Sequence, residues 1–271
     1  MDLIKEIKSF LKNDYHKYEK TRARGFHPSQ VGYEKFCPRK WVLETALKDS
    51  NLQPDASYSL EKRVIFDVGH GIHYFVQNNY LGPMGILWGE WKNLSKWKST
   101  KPQEIVEGFY PGGPLGTWEY IEPEVTIPEY EVIGHVDGII KTENEEYVLD
   151  IKSISNYGFN RLEEVSETYL NQINLYMHAL SYNKGQFLFI NKNDARVKTF
   201  DIVYDKDRVD KIIKERIIPT MSNFKGDIIP DMHPSCSSHS YMRKNCLVKD
   251  TCTNCHSDSI ESINTMLSLS R

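Results

Sequence analysis

Two stretches in the middle of the chain alternate apolar and polar positions with the period of a β-strand, in which residues i and i+2 share a face. From Glu131 to Ile140 the alternation predicts a strand with His135 and Asp137 on one face and Val132, Val136 and Ile140 on the other, toward a core. From Tyr147 to Ile151 it predicts a strand with Tyr147, Leu149 and Ile151 on one face and Val148, Asp150 and Lys152 on the other. The intervening residues 141–146 are short and polar, which favours an antiparallel hairpin and sets Asp137 near Asp150. Helical spacing marks three further segments. Residues 1–11 read as an amphipathic helix. Ile72 to Gln77 reads as a helix beginning at a flexible glycine entry, Gly69 and Gly71. Tyr169 to Leu180 reads as a helix with Gln172 and Tyr176 four apart on one face.

The polar faces of the two strands carry types suited to phosphodiester chemistry. Asp137, Asp150 and the Ile151 carbonyl make an all-oxygen nest for a hard divalent cation, Mg2+ or Mn2+. Such an ion binds a phosphate oxygen, lowers the pKa of a bound water and offsets charge in in-line attack. Lys152 is a compact charge that can orient or deprotonate that water and steady the phosphorane. His73 adds a neutral imidazole of the kind manganese accepts. Gln172 and Tyr176 can bond a DNA backbone or the lysine. An isolated Asp-x-Lys is usually a solvated hairpin, but Asp150 and Lys152 stand inside an otherwise core-like strand.

Residues 81–120 are rich in Gly, Pro and Trp and read as an insertion or flap. Trp88, Trp91, Trp97 and Trp118 alternate with Lys92, Lys96, Lys98 and Lys101, a pattern that stacks bases and tracks phosphates or, more commonly, packs a small β-rich flap. The 271 residues with 39% hydrophobic content suffice for a substantial core, here taken as one domain over 1–271. No apolar run approaches membrane length and no signal peptide is visible, so a cytoplasmic location is expected, in the host cytoplasm if the chain is viral. A net charge of -3 argues against nucleic-acid binding by bulk electrostatics. An early basic cluster, Lys17, Lys20, Arg22, Arg24, Arg39 and Lys40, offers a local alternative. The acidic stretch 163–167 reads as a solvated face.

Five cysteines supply a separate signal. Cys246, Cys252 and Cys255 have metal-ligand spacing within a Cys-rich segment over 230–256, with Cys236 before them and Cys37 far upstream. Four thiolates suit a 4Fe-4S cluster or tetrahedral Zn2+. Either would close a loop of about two hundred residues.

The ordered set Gly69-x3-His73, Gly134-His135-Val136-Asp137-Gly138, Leu149-Asp150-Ile151-Lys152-Ser153 and Gln172-x3-Tyr176 resembles the RecB-like branch of the PD-(D/E)XK nuclease superfamily. The resemblance implies an α/β, restriction-endonuclease-like core, a mixed central sheet flanked by helices, with an N-terminal helical part and a C-terminal Cys-rich segment stapled to it. It implies metal bound by His73, Asp137, Asp150 and the Ile151 carbonyl, with Lys152 catalytic. The segment from His27 to Trp41 resembles the part that supplies one early cysteine in iron-sulfur members, the CRISPR-associated exonucleases and the AddB nuclease domain. That implies a cluster on Cys37, Cys246, Cys252 and Cys255, with Cys236 as the alternative ligand, or a late four-cysteine zinc knob that leaves Cys37 out. The DNA contacts expected are Arg22, Arg24, Arg39, Lys40, Gln172 and Tyr176. The activity implied is a metal-dependent exonuclease on single-stranded or end-frayed DNA, 5'-to-3', in repair, recombination or replication, with any helicase or recombination protein a separate partner. The alternatives are a structure-specific endonuclease or resolvase on the same core, and a non-catalytic DNA-binding module with a structural metal.

Overall fold

In chain order the elements are α1 (Pro28–Val31), α2 (Pro38–Asp49), α3 (Leu60–Val76), β1 (Leu87–Asn93), β2 (Ile105–Gly108), β3 (Trp118–Ile121), β4 (Glu124–Ile127), β5 (Val132–His135), β6 (Gly138–Lys141), β7 (Glu146–Ile154), α4 (Asn156–Asn160), α5 (Glu167–Leu180), β8 (Lys184–Asn191), β9 (Val197–Val203), α6 (Lys206–Ile212), α7 (Ile218–Lys225), α8 (Tyr241–Lys244) and α9 (Lys249–Asn254). The structure is a computed structural model that describes residues 2, 4–7, 9, 24–49, 60–95, 104–236, 240–244, 246–254 and 259–260. The chain divides into two units: a sheet unit of residues 25–33 and 64–210, and a cysteine unit of residues 1–24, 34–63 and 211–271.

The sheet unit is mixed α/β, a central sheet flanked by helices. Its strand order is β2-β1-β6-β7-β8-β9, with β3 also paired to β1. All pairings are antiparallel except β7 with β8, which run parallel. The parallel pair requires a crossover, and α4 and α5 supply it. Because β7 is interior and covered on both faces, its side chains alternate between two apolar layers. Val148 joins Phe187, Phe189, Ile173 and Met177 on the α5 side. Leu149 and Ile151 join Leu87, Trp91, Ile140 and Ile190 on the other side, where Ile72 and Val76 of α3 pack.

Helix α5 is held close to the sheet. A Cβ at Gly185 would stand 2.8 Å from Ile173 Cδ1 and 3.1 Å from Met177 Sδ, so the small residue on β8 sets the approach of the helix. At its other flank Asn171 Nδ2 donates to the Gly32 carbonyl at 2.9 Å, and Asn174 Oδ1 accepts from the Asp205 N–H at 2.7 Å. These buried amides are thereby paired, as buried polar groups must be. The helix ends at Ser181 in the left-handed region, φ 59°, with the Tyr182 N–H on the Met177 carbonyl at 2.9 Å.

The expected hairpin between β6 and β7 is present, with Gly138 opposite Leu149 and Lys141 opposite Glu146. Two local expectations are corrected. The run 131–140 is not one strand: it breaks at Val136 and Asp137, β5 pairs with β4 in a separate two-stranded sheet, and only β6 joins the central one. Val136 and Ile140 consequently lie in opposite core layers, and His135 and Asp137 do not share a strand face. Helix α3 does not begin at the glycines, since Gly69 and Gly71 lie in its interior. Ile72 and Val76, partly buried against the sheet, lie on the same helix, whose glycines are carried despite their low propensity. Within 81–120, β1, β2 and β3 extend the central sheet. Trp91 is buried there, Trp118 packs against the same layer, and Trp88 stacks on Phe109 and under the Lys141 ammonium. Trp97, Lys96, Lys98 and Lys101 lie outside the described residues, and Lys92 pairs with Glu119 at 3.9 Å.

In the cysteine unit α2 packs on α7, where the Trp41 ring meets Phe224 edge-on at 5.7 Å. Val42, Leu43, Ala46, Leu47, Ile217, Ile229 and Val248 are buried. Pro38 occupies the first turn of α2, where its missing N–H costs nothing. Of residues 1–11, the described 4–7 and 9 are helical. Among the described residues, no helix is long and apolar enough to cross a membrane.

Candidate active site

The sheet unit gathers one polar constellation. Asp150 and Lys152 are carried by β7 on the face toward α5, and the Lys152 ammonium stands 2.6 Å from Asp150 Oδ1. Lys152 Nζ also donates to Gln172 Oε1 at 3.3 Å, Gln172 Nε2 donates to the Tyr176 hydroxyl at 3.1 Å, and the ammonium lies 5.0 Å from the Tyr169 ring centroid. The i, i+4 spacing of Gln172 and Tyr176 on α5 produces that chain.

Asp137 sits in the break before β6, and the break itself serves the site. Beyond the last β6 ladder position, Asp137 Oδ2 accepts the Ile151 N–H at 2.6 Å, in the place a strand carbonyl would take. Its Oδ1 lies 3.3 Å from His73 Nδ1, and its own carbonyl accepts from Gln77 Nε2 at 2.7 Å. His73 and Gln77, one turn apart at the end of α3, thus hold both ends of the aspartate. Asp137 is brought beside β7 by protein groups alone.

Two residues went unrecognised in the sequence. Glu122 lies in the turn between β3 and β4, and its carboxylate accepts from Gln77 Nε2 at 3.0 Å. Ligand atoms of His73, Glu122 and Asp137 fall within 4.8 Å of one another, the one such metal-competent group among the described residues. No periodicity or motif marks Glu122, because β3 pairs with β1 and only the fold brings the following turn here. Gln77 carried a legible signal, its i, i+4 relation to His73.

Burial and charge oppose each other in this pocket. Burial pushes the Asp150 carboxyl up, against the pull of Lys152, to about 6. Burial would raise Asp137 as well, but His73, Lys152 and the Ile151 N–H outweigh it and hold this carboxyl below the usual range. Burial and the neighbouring Asp137 charge raise Glu122. Burial works against the charged forms of Lys152 and His73; Asp150 with Asp137, and Asp137 by itself, respectively outweigh it, so both cations titrate above their ordinary values. The decisive feature is Asp150. Its carboxylate is buried and, among the described residues, Oδ1 has only the Lys152 ammonium and Oδ2 has no partner. A buried carboxylate oxygen left unpaired is costly unless a cation completes it. The donor set, carboxylates with one imidazole, fits Mg2+ or Mn2+.

The cysteine unit brings its candidates into one neighbourhood. Cys37 Sγ accepts the Lys40 N–H at 3.4 Å at the start of α2. Cys252 Sγ accepts from Arg39 Nε at 3.3 Å. Burial raises the Cys37 thiol against hydrogen bonds from Lys40 and His233, and nearby Cys252 and Cys236 add to the rise. Burial also raises Cys246, whose neighbours include Lys40 and Cys252. Cys37, Cys236, Cys246 and Cys252 are all free thiols, and Cys255 lies outside the described residues. Of the basic residues expected on DNA, Arg39 also binds the Pro230 carbonyl at 2.9 Å, Arg24 pairs with Asp49 at 3.3 Å, and Lys40 pairs with Glu44 at 3.5 Å. Lys17, Lys20 and Arg22 lie outside the described residues.

No protein-family model and no curated protein sequence matches the chain. Among solved structures it is similar to the protein SSO0001, at 15% identity and a TM-score of 0.47 over 94% of this chain and 97% of that one. It is similar also to an alkaline exonuclease, LHK-Exo, from Laribacter hongkongensis, at 11% identity and a TM-score of 0.49 over 74% and 88%. A phage related exonuclease from Haemophilus somnus 129PT gives 14% identity and a TM-score of 0.39 over 76% and 95%.

Proposed function

We propose that the chain is a metal-dependent deoxyribonuclease, an exonuclease acting 5'-to-3' on single-stranded or end-frayed DNA. The observation that carries the cleavage reading is the buried Asp150 carboxylate with an unpaired oxygen, set beside a lysine and an independently anchored Asp137. Direction, exonuclease mode and a place in repair, recombination or replication come from the resemblance to RecB-like nucleases alone, and a separate helicase or recombination partner from the lack of a helicase motif in the sequence.

Asp137, Asp150 and the Ile151 carbonyl would hold the cation, with His73 and Glu122 on its flank. A bound divalent ion supplies an acidified water and charge stabilisation at the phosphate. The residues do the rest. Lys152, kept protonated by Asp150 and Asp137, places a fixed positive charge where a phosphorane oxygen develops. Gln172 and Tyr176 restrict the ammonium to one position, and Gln77 fixes Glu122 and Asp137 together. The pocket is largely closed to water, which strengthens each of these interactions.

For the cysteine unit the proposal is a bound 4Fe-4S cluster, or Zn2+, on Cys37, Cys246, Cys252 and Cys255, with Cys236 as the substitute ligand. Four free thiols within one unit, two of them fixed by Lys40 and Arg39, support it.

The test is degradation of end-labelled linear and circular single-stranded DNA with Mg2+ or Mn2+, beside Lys152→Ala. Loss of the linear strand alone, abolished in the variant, is expected. Cleavage of circles would replace the exonuclease mode by the endonuclease one, and unchanged cleavage by Lys152→Ala would remove the site assignment.

A further inference from the structure

The end of the sheet where β7 and β8 both finish carries side chains the cleavage pocket does not use. These strands are parallel and in register to Ile154 and Asn191, so their carboxyl ends meet at one end of the sheet. Helix α4 follows β7 directly and presents Tyr157, 67% exposed. The Arg161 guanidinium lies 4.1 Å from the centroid of that ring and also bonds its hydroxyl. Lys192, the first residue after β8, reaches the Ile65 carbonyl of α3 at 3.5 Å, a long bond that leaves its charge available. Among the described residues neither Arg161 nor Lys192 has a carboxylate partner. Arg196 at the same end is paired with Asp194 at 2.9 Å and is therefore left aside.

Helix α3 connects this end to the pocket. A Cβ at Gly69 would stand 3.4 Å from Ser153 Oγ, so the helix passes close over the end of β7. His73 is at the pocket and Ile65 at Lys192, eight residues apart on α3. That is about 12 Å of helix, the length of roughly three or four nucleotides at B-form spacing.

We infer that this end of the sheet is a binding platform for a single strand of nucleic acid leaving the cleavage pocket, with a base stacked on Tyr157 and phosphates on Arg161 and Lys192. A tyrosine kept for packing would be buried; this one is exposed and stiffened from one side by a guanidinium, which is how aromatic platforms accept bases of any identity. Duplex bases are already stacked, so the platform selects unpaired strand. The inference deepens the cleavage reading and rests on it for the position of the scissile bond.

The test uses the full chain. Binding of fluorescent oligothymidylate is measured in a Lys152→Ala background, where the strand survives. Adding Tyr157→Ala weakens binding by about tenfold, the scale of one lost stack, and Tyr157→Phe restores it. Lys192→Ala lowers the slope of log affinity against log salt by about one phosphate contact. In the otherwise unaltered enzyme, Tyr157→Ala leaves hydrolysis of bis(p-nitrophenyl) phosphate unchanged, because that ester is too small to reach the platform. Parental affinity in Tyr157→Ala, or equal loss in the Ala and Phe variants, overturns the platform. Absence of all diester hydrolysis with the Tyr157 effect intact would instead overturn the cleavage reading and leave the platform standing.

Discussion

The two candidate metal regions are built on opposite plans. In the sheet unit, Asp137 is fixed by the Ile151 N–H and His73, and Lys152 by Asp150 and Gln172. In the cysteine unit, thiols from α2 and from the segment around α9 gather without converging into a tight group of three among the described residues. The first is organised by strand geometry and hydrogen bonds; the second would be completed only by the metal proposed for it. The lesson concerns where the energy lies. A buried polar site can store unfavourable burial, as at Asp150, because the surrounding sheet over-determines it. A structural metal site instead returns binding energy as folding energy.

The largest expected effect tests the site of the sheet unit. Lys152→Ala should lower cleavage by about 10³-fold or more while leaving the far-ultraviolet dichroism unchanged; a smaller loss than tenfold would mean the ammonium is only an ion-pair partner. Next comes the cysteine unit. Strong chelation, or Cys37→Ser, should lower the melting temperature of that unit by several degrees, on the order of 2 kcal/mol or more, without changing Mn2+ affinity at the sheet unit. Metal analysis reads the ligand itself: brown protein with iron and sulfide, or colourless protein with zinc. An unchanged melt would make the cysteines ordinary thiols.

Glu122→Gln sharpens the comparison further. It keeps the partner for Gln77 and removes one charge, so Mn2+ binding measured by calorimetry should weaken about tenfold, within the range of losses seen when groups supporting a metal site are altered. Unaltered affinity would place Glu122 outside the coordination sphere.

The smallest effect has an unusual sign. Because the folded-state pKa of Asp150 is raised to about 6, this group binds protons more tightly in the folded chain. It therefore lowers the stability of the cation-free protein as pH rises from about 4 to about 6. Asp137, with its lowered pKa, works the other way and loses its contribution only as pH falls below the ordinary carboxyl range. Asp150→Asn should accordingly stabilise the cation-free protein at pH 7 in urea melts, while abolishing cleavage. Destabilisation by that variant would show that the Lys152 pair outweighs desolvation.

Strand period and a short polar link were enough to read the β6–β7 hairpin and the common face of Asp150 and Lys152, and helical spacing was enough for the Gln172–Tyr176 pair on α5. These are relations between neighbours in sequence, and side-chain alternation determines them locally. Tertiary structure decided the rest. The strand break that turns Asp137 onto the Ile151 N–H is invisible in the alternation, since His135-Val136-Asp137 keeps the period. Glu122 enters through the pairing of β3 with β1, and the close seat of α5 through Gly185 on a strand that follows it. Tyr157 and Lys192 stand at one end of the sheet only because β7 and β8 end together. Each depends on a contact between residues far apart in the chain, whose free energy is gained only when the sheet closes and which no local pattern encodes.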